Sequence, residues 1–156
     1  MFVGTVENKL DRKGRVSVPA AYRAHLVNEG MPGFYTYPAP HLETGALEAC
    51  GMKFMQELNE RFARIDLYSE ELEELSTLVF ASAHQLNWDG EGRVVMPESL
   101  IAAAGLTDRV AFVGRGKTFQ IWEPDTFEAY RAALQERVRK QPRTVRMMPA
   151  GEPGPR

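Results

Sequence analysis

A short basic segment near the start of the chain carries the side chains most suited to binding a phosphate-bearing partner. It reads LDRKGRVSVPA from Leu10 to Ala20, and residues 9–23 contain five cations against the single carboxylate Asp11. Like charges crowded within a Debye length repel one another, and a polyanion relieves that repulsion. The segment therefore favours a nucleic-acid contact, although the whole chain has a formal net charge of only -2. The five cations are Lys9, Arg12, Lys13, Arg15 and Arg23.

The pattern Asp-x-x-Gly-Arg in this segment returns 78 residues later in the phrase WDGEGRVVMPE. Aspartate side chains accept hydrogen bonds from backbone N–H groups two residues on, which stabilises the start of a turn. Glycine supplies the positive φ that other residues adopt only with strain. We therefore predict two equivalent tight turns, one built by Asp11 and Gly14 and the other by Asp89 and Gly92.

Each turn is followed by an arginine that a turn does not require. A guanidinium matches the O6 and N7 edge of guanine, but it can also pair with the aspartate of its own turn. The neighbouring cations favour the ligand-binding role for Arg15, whereas both roles stay open for Arg93 in the less basic second turn. We expect Arg15 to contact a base and Arg93 to add to the surface or brace its turn. Phosphate contacts are expected from three further cations: Lys9, Arg12 and Lys13.

The elements that must position these turns are predicted to occur twice. Each turn lies between strand-like runs, and a proline at the first helical position follows it, Pro19 or Pro97. Further strand patterns come next, and each half closes with an amphipathic helix, near residues 55–65 and 127–138. A separate helix is expected over about 69–83. The segment PHLETGALEACGMKF lacks the regular strand pattern that TFQIW shows in the second half.

Length and composition limit the class of protein. With 156 residues, 44% of them hydrophobic, the chain fits one domain or two small halves that share a core. No run of eighteen apolar residues indicates a membrane helix, and the first residues do not resemble a signal peptide. The lone Cys50 excludes an internal disulfide, so a cytoplasmic location is expected.

Other chemistry is weakly supported by the sequence. The segment GRGKT at 114–118 resembles the end of a phosphate-binding loop, but a strand pattern follows it where a helix is required. The three histidines are scattered, and Cys50 has no recognisable base partner, so we expect no metal, no cofactor and no enzyme active site. The acidic stretch 57–74 is interpreted as a solvated helix face.

The segments MFVGT…LDRKGRVSVPAAYR and LNWDGEGRVVMPESL…GL…RVAFVGRGKTFQIWEPDTFEAY resemble the MraZ family of bacterial transcriptional regulators, over about residues 1–134. That family carries two tandem SpoVT-AbrB-type repeats, each with an Asp-x-x-x-Arg motif. The resemblance implies an α+β fold, a pseudo-symmetric double swapped-hairpin β-barrel (AbrB-like, double-psi-type) with flanking helices. It also implies a ring-shaped homo-oligomer, associated with the nucleoid, that binds double-stranded DNA repeats near a promoter and represses its own operon of division and cell-wall genes.

On this resemblance the chain divides into five parts. They are a first repeat (5–50), linking helices (51–80), a second repeat (81–124), a C-terminal helix (125–141) and a disordered basic tail (142–156). The alternative function is an antitoxin-like or assembly module that uses the same barrel to bind a protein partner. That alternative predicts an exposed apolar groove and binding that tolerates loss of Arg15.

Overall fold

The structure is a computed structural model that describes residues 1–141 and shows an α+β fold in them. The predicted basic tail, 142–156, lies outside the described residues. Eight strands are present in this part of the chain: β1 (Thr5–Lys9), β2 (Arg15–Ser17), β3 (Gly33–Pro38), β4 (Leu47–Cys50), β5 (His84–Asn87), β6 (Arg93–Val95), β7 (Arg109–Gly114) and β8 (Phe119–Trp122). The five α-helices of residues 1–141 are α1 (Ala20–Asn28), α2 (Met52–Phe62), α3 (Glu70–Ser76), α4 (Glu98–Ala104) and α5 (Pro124–Lys140), and one π-helical turn covers Thr77–Ala81.

The order of elements is the same in the two halves of the chain. Residues 5–62 run β1, β2, α1, β3, β4, α2, and residues 84–140 run β5, β6, α4, β7, β8, α5. Strand β4 arises from the segment that lacked a strand pattern, and it pairs with its counterpart β8 through Leu47↔Ile121. Helix α3 and the π-helical turn lie between the halves.

The two halves exchange strands. The first strand of each half pairs with the third strand of the other, β1 with β7 and β5 with β3, while β4 pairs with β8. All pairs are antiparallel and give one six-stranded sheet in the order β1-β7-β8-β4-β3-β5. The short strands β2 and β6 pair only with each other. Edge strands β1 and β5 are therefore not paired with each other, and the strand pairing gives an open sheet that does not confirm the double-psi-type barrel implied by the resemblance.

One aromatic cluster lies at the centre of the shared core. The Phe119 ring lies 4.9 Å from that of Phe2, 5.0 Å from Tyr22 and 5.1 Å from Phe34. Burying each such ring stabilises the fold by about 1.5–3 kcal/mol. Val16 of β2 and Val94 of β6 belong to the same cluster, so the ladder formed by β2 and β6 is anchored to residues from both halves.

Helices α2 and α3 pack less deeply than the sheet. Neither helix contains a buried residue. Most apolar side chains of α2 are half-buried, and Leu67 and Tyr68 after it are 70% and 92% exposed. These two helices therefore present apolar surface beside the acidic residues of 57–74. None of the helices in residues 1–141 is both long and apolar enough to span a membrane.

Candidate nucleic-acid interface

The first turn, residues 11–15, is organised around the carboxylate of Asp11. Its Oδ1 accepts hydrogen bonds from the backbone N–H groups of Lys13 at 2.9 Å and Arg15 at 2.8 Å. Its Oδ2 accepts one from Nε of Arg15 at 2.7 Å. Gly14 has φ +81° and donates its N–H to the Asp11 carbonyl. The turn therefore fixes the position of the Arg15 guanidinium through its Nε atom.

These hydrogen bonds keep the Asp11 carboxylate ionised. The backbone N–H of Arg15 is the main cause that lowers the Asp11 pKa, and the guanidinium of Arg15 and the N–H of Lys13 lower it further. Hydrogen bonds to the charged form of an acid favour that form. Within residues 1–141 the Arg15 side chain donates only through Nε, so its two terminal nitrogens are available to a ligand.

The other cations in and next to the first turn are exposed and form no ion pair in residues 1–141. Lys9 lies at the end of β1, and Arg12 and Lys13 occupy the tip of the turn. None of the three has a carboxylate oxygen within 4.0 Å in the described part of the chain. The first turn thus carries positive charge that its own half does not balance.

The second turn, residues 89–93, repeats this backbone arrangement. Oδ1 of Asp89 accepts from the N–H groups of Glu91 at 2.8 Å and Arg93 at 3.1 Å, and these bonds lower the Asp89 pKa. Gly92 has φ +79°. Nε of Arg93 lies 3.3 Å from Oδ2 of Asp89, and its Nη2 lies 3.3 Å from Oε2 of Glu91. Arg93 is therefore shared between two carboxylates.

Strands β2 and β6 join the two turns into one antiparallel ribbon. Arg15 faces Val95 across it, and Ser17 faces Arg93. Beyond the strands, the Gly14 carbonyl accepts the N–H of Met96 at 2.7 Å, and the Gly92 carbonyl accepts that of Val18 at 2.9 Å. The turns therefore lie at opposite ends of the ribbon.

The ribbon has one buried face and one outward face. Val16 and Val94 point into the core, whereas the alternate positions are half-buried or exposed. Arg15 and Arg93 are diagonal neighbours on the outward face, which places their Cα atoms about 7–8 Å apart. The positions that complete this face, Ser17 and Val95, were not among the sequence candidates. The alternation around the two buried valines was the signal that could have identified them.

A two-stranded antiparallel ribbon with arginines on its outward face is an element that a DNA groove can accommodate. The major groove of B-DNA is about 12 Å wide and admits a two-stranded β-ribbon. Arginine side chains on its outward face can contact bases, and lysine and arginine at its ends can contact phosphates.

The remaining sequence candidates occupy different surroundings. The segment GRGKT forms the turn between β7 and β8, closed by a hydrogen bond from the N–H of Arg115 to the carbonyl of Thr118. Burial raises the pKa of Cys50 to about 12, which keeps the thiol protonated. Within residues 1–141 no group of three or more His, Cys, Asp or Glu side chains is placed to hold a metal ion.

Known proteins match the chain across both turns. A family model described as "MraZ protein, putative antitoxin-like" matches residues 1–31 and 79–147. The Transcriptional regulator MraZ of Rickettsia bellii (strain OSU 85-389) is 43% identical over 141 residues, which cover 90% of this chain and 93% of the relative. That of Rickettsia africae (strain ESF-5) is 40% identical over 146 residues, covering 94% and 97% of the two chains.

Proposed function

The chain belongs to the MraZ family, and from that premise we propose that it is a transcriptional regulator, not an enzyme, that binds DNA through the β2–β6 ribbon. The outward face of the ribbon enters the major groove. Arg15 donates its two terminal nitrogens to a guanine, since the guanidinium fork matches the O6 and N7 acceptors. Lys9, Arg12 and Lys13 contact the flanking phosphates.

The observation that carries this proposal is the fixed guanidinium of Arg15 beside unneutralised cations. The Nε–Oδ2 bond of 2.7 Å to Asp11 orients the side chain before DNA arrives. A side chain ordered in advance loses less conformational entropy on binding. In residues 1–141 the two terminal nitrogens make no hydrogen bond, so a base edge can accept from both.

The second turn is proposed to contribute less. Arg93 shares its guanidinium with Asp89 and Glu91, so a base has to compete with two carboxylates. Its diagonal position, about 7–8 Å from Arg15, corresponds to about two base-pair steps of 3.4 Å. Arg93 therefore supports a contact near the one that Arg15 makes.

Tight binding requires several copies. The four cations of one first turn release too few counterions for strong binding at physiological salt, whereas linked copies raise the effective concentration. The half-buried apolar side of α2 and the exposed Leu67 and Tyr68 supply surface for contacts between copies. We therefore propose a ring-shaped homo-oligomer in the cytoplasm, at the nucleoid. In it, residues 5–50 and 81–124 act as the two repeats, 51–80 link them and 125–141 form the C-terminal helix.

The target is proposed to be a set of direct repeats near the promoter of the protein's own operon of division and cell-wall genes, with repression as the outcome. A footprint of the purified protein on the region upstream of its gene tests this target. Protected sites at a regular spacing are expected, because neighbouring subunits repeat the same ribbon.

Arg15→Ala is the decisive variant for the contact. It should weaken binding to the footprinted region about fivefold or more, since one bidentate base contact contributes about 1–3 kcal/mol, while light scattering shows an unchanged oligomer. Arg115→Ala, which removes a cation from the β7–β8 turn, is the matched control and should bind normally. Wild-type affinity and sequence preference in Arg15→Ala would contradict the assignment.

A protein-binding module is the second candidate, favoured by the antitoxin-like description of the matching family model. The apolar surface of α2 would then hold a partner protein. Retention of such a partner by Arg15→Ala, together with no footprint by the wild-type protein, would favour this function over DNA binding.

A further inference from the structure

Arg23 of α1 lies against the glycine of the second turn. A Cβ at position 92 would lie 2.7 Å from Cζ and 2.8 Å from Nε of Arg23. The same Nε donates a hydrogen bond of 3.1 Å to the carbonyl of Val18, and the N–H of Val18 donates to the Gly92 carbonyl. A guanidinium from the first half therefore packs directly against the glycine of the second turn.

The charge of Arg23 is not balanced by its surroundings. Arg23 is half-buried, and in residues 1–141 no carboxylate oxygen lies within 4.0 Å of it. Removing a cation from water without a charged partner is unfavourable. An anionic ligand at this position would offset that penalty, because charge-assisted hydrogen bonds are stronger than neutral ones.

The fold does not require a cation at this position. In the first turn the equivalent place is taken by Ile101, whose Cδ1 would lie 3.7 Å from a Cβ on Gly14. An apolar side chain thus covers one glycine and a guanidinium covers the other. The second turn also has Glu91 where the first has Lys13, so it lacks a phosphate-binding cation at its tip.

We propose that Arg23 is the phosphate-binding residue at the second-turn end of the ribbon, an inference that rests on the proposed DNA binding. Because Nε is bonded to the Val18 carbonyl, the two terminal nitrogens of Arg23 are left for a phosphate. A guanidinium can donate two hydrogen bonds to one phosphate group. The ribbon then contacts phosphate at both ends, through Arg12 and Lys13 at one and Arg23 at the other. One subunit would then contact the phosphate backbones on both sides of the groove.

The test compares Arg23→Gln with Arg23→Lys. Glutamine removes the charge but keeps an amide donor for the Val18 carbonyl, whereas lysine keeps the charge. Affinity is measured against salt concentration on the region upstream of the gene and on a random duplex of equal length. We expect glutamine to weaken binding to both duplexes by a similar factor and to lower the salt slope by about 0.9 per bound subunit. Lysine should keep the slope, and the footprint should not move.

A purely structural role of Arg23 gives a different result. Arg23→Gln would then lower the melting temperature, and the salt slope of the remaining binding would stay at its wild-type value, which would overturn the inference. The Arg15→Ala variant distinguishes failure of the Arg23 inference from failure of the proposed DNA-binding function. If Arg15→Ala loses sequence preference while Arg23→Gln keeps the full slope, the DNA-binding function stands and the role of Arg23 is wrong.

Discussion

The two turns have the same backbone conformation, but the side chains at their tips differ in charge. Each uses an aspartate that accepts two backbone N–H groups and a glycine with φ near +80°. At the tip, the first turn has Arg12 and Lys13 where the second has Gly90 and Glu91. The difference teaches that the aspartate and glycine determine the shape of the turn, while the two tip residues determine what the turn can bind.

The arginines of the two turns are also held differently. Nε of Arg15 lies 2.7 Å from its aspartate, whereas Nε of Arg93 lies 3.3 Å from Asp89 and its outer edge meets Glu91. The guanidinium of Arg15 is held through Nε and its terminal nitrogens have no partner in residues 1–141. The guanidinium of Arg93 instead contacts two carboxylates. Arg93 therefore suits a bracing role better than Arg15 does.

Exchange of the tip charges should have the largest effect. Lys13→Glu should weaken DNA binding more than tenfold, because it removes a phosphate contact and places a carboxylate beside the same phosphate. Glu91→Lys should tighten binding several-fold and steepen the salt slope by about 0.9 per contacting subunit. In both turns the backbone N–H of this residue donates to the turn aspartate, so the turns should persist; Glu91→Lys also removes the carboxylate that lies 3.3 Å from Nη2 of Arg93, which frees that guanidinium for DNA. Gel shifts over a salt series measure both effects.

The double exchange, Lys13→Glu with Glu91→Lys, is the control because it leaves the net charge at -2. We expect it to bind more weakly than the wild-type protein, since the cation now lies at the end of the ribbon away from Arg15. Wild-type affinity in the double variant would show that total charge, and not the difference between the turns, governs binding.

Alanine at the two glycines should have the next largest effect. Both substitutions force a Cβ into positive φ and should lower the free energy of unfolding by about 1–2 kcal/mol. Gly92→Ala additionally collides with Arg23, whereas Gly14→Ala meets the Met96 carbonyl at 3.1 Å. Urea unfolding at fixed protein concentration measures both, because association contributes to apparent stability.

A double-mutant cycle isolates the collision. Arg23→Ala removes the obstacle, so Gly92→Ala should be less damaging in that background, with a coupling of about 0.5–1 kcal/mol. Gly14→Ala in the same background should show no coupling, since Arg23 does not reach the first turn. Additive effects at both glycines would contradict the packing of Arg23 on Gly92.

The turns could be predicted from the sequence because their geometry depends on residues close together in the chain. Strand β4 could not be, since Leu47–Cys50 gains its partners only from β3 and β8. The contact of Arg23 with Gly92 joins residues from different halves, which no local pattern indicates. The α+β class was confirmed, but the double-psi-type barrel was not: β2 and β6 pair only with each other, so they do not connect the sheet edges β1 and β5.

The smallest expected effect concerns the one apolar difference on the outward face of the ribbon. Ser17 and Val95 occupy equivalent positions of β2 and β6, and Val95 is 59% exposed opposite Arg15. An apolar side chain in the major groove can contact the C5-methyl group of thymine. We expect Val95→Ser to weaken specific binding a few-fold, because one methyl contact contributes about 0.8 kcal/mol.

Uracil-substituted DNA tests this contact without changing the protein. Deoxyuridine in place of thymidine removes only the methyl group, so the wild-type protein should bind the substituted site a few-fold more weakly. Val95→Ser should bind both sites equally, since it has no methyl contact to lose, and Ser17→Val should still discriminate between them as the wild-type protein does. Equal discrimination by Val95→Ser and the wild-type protein would place the thymine contact elsewhere, and the apolar difference between the two strands would then have no part in recognition.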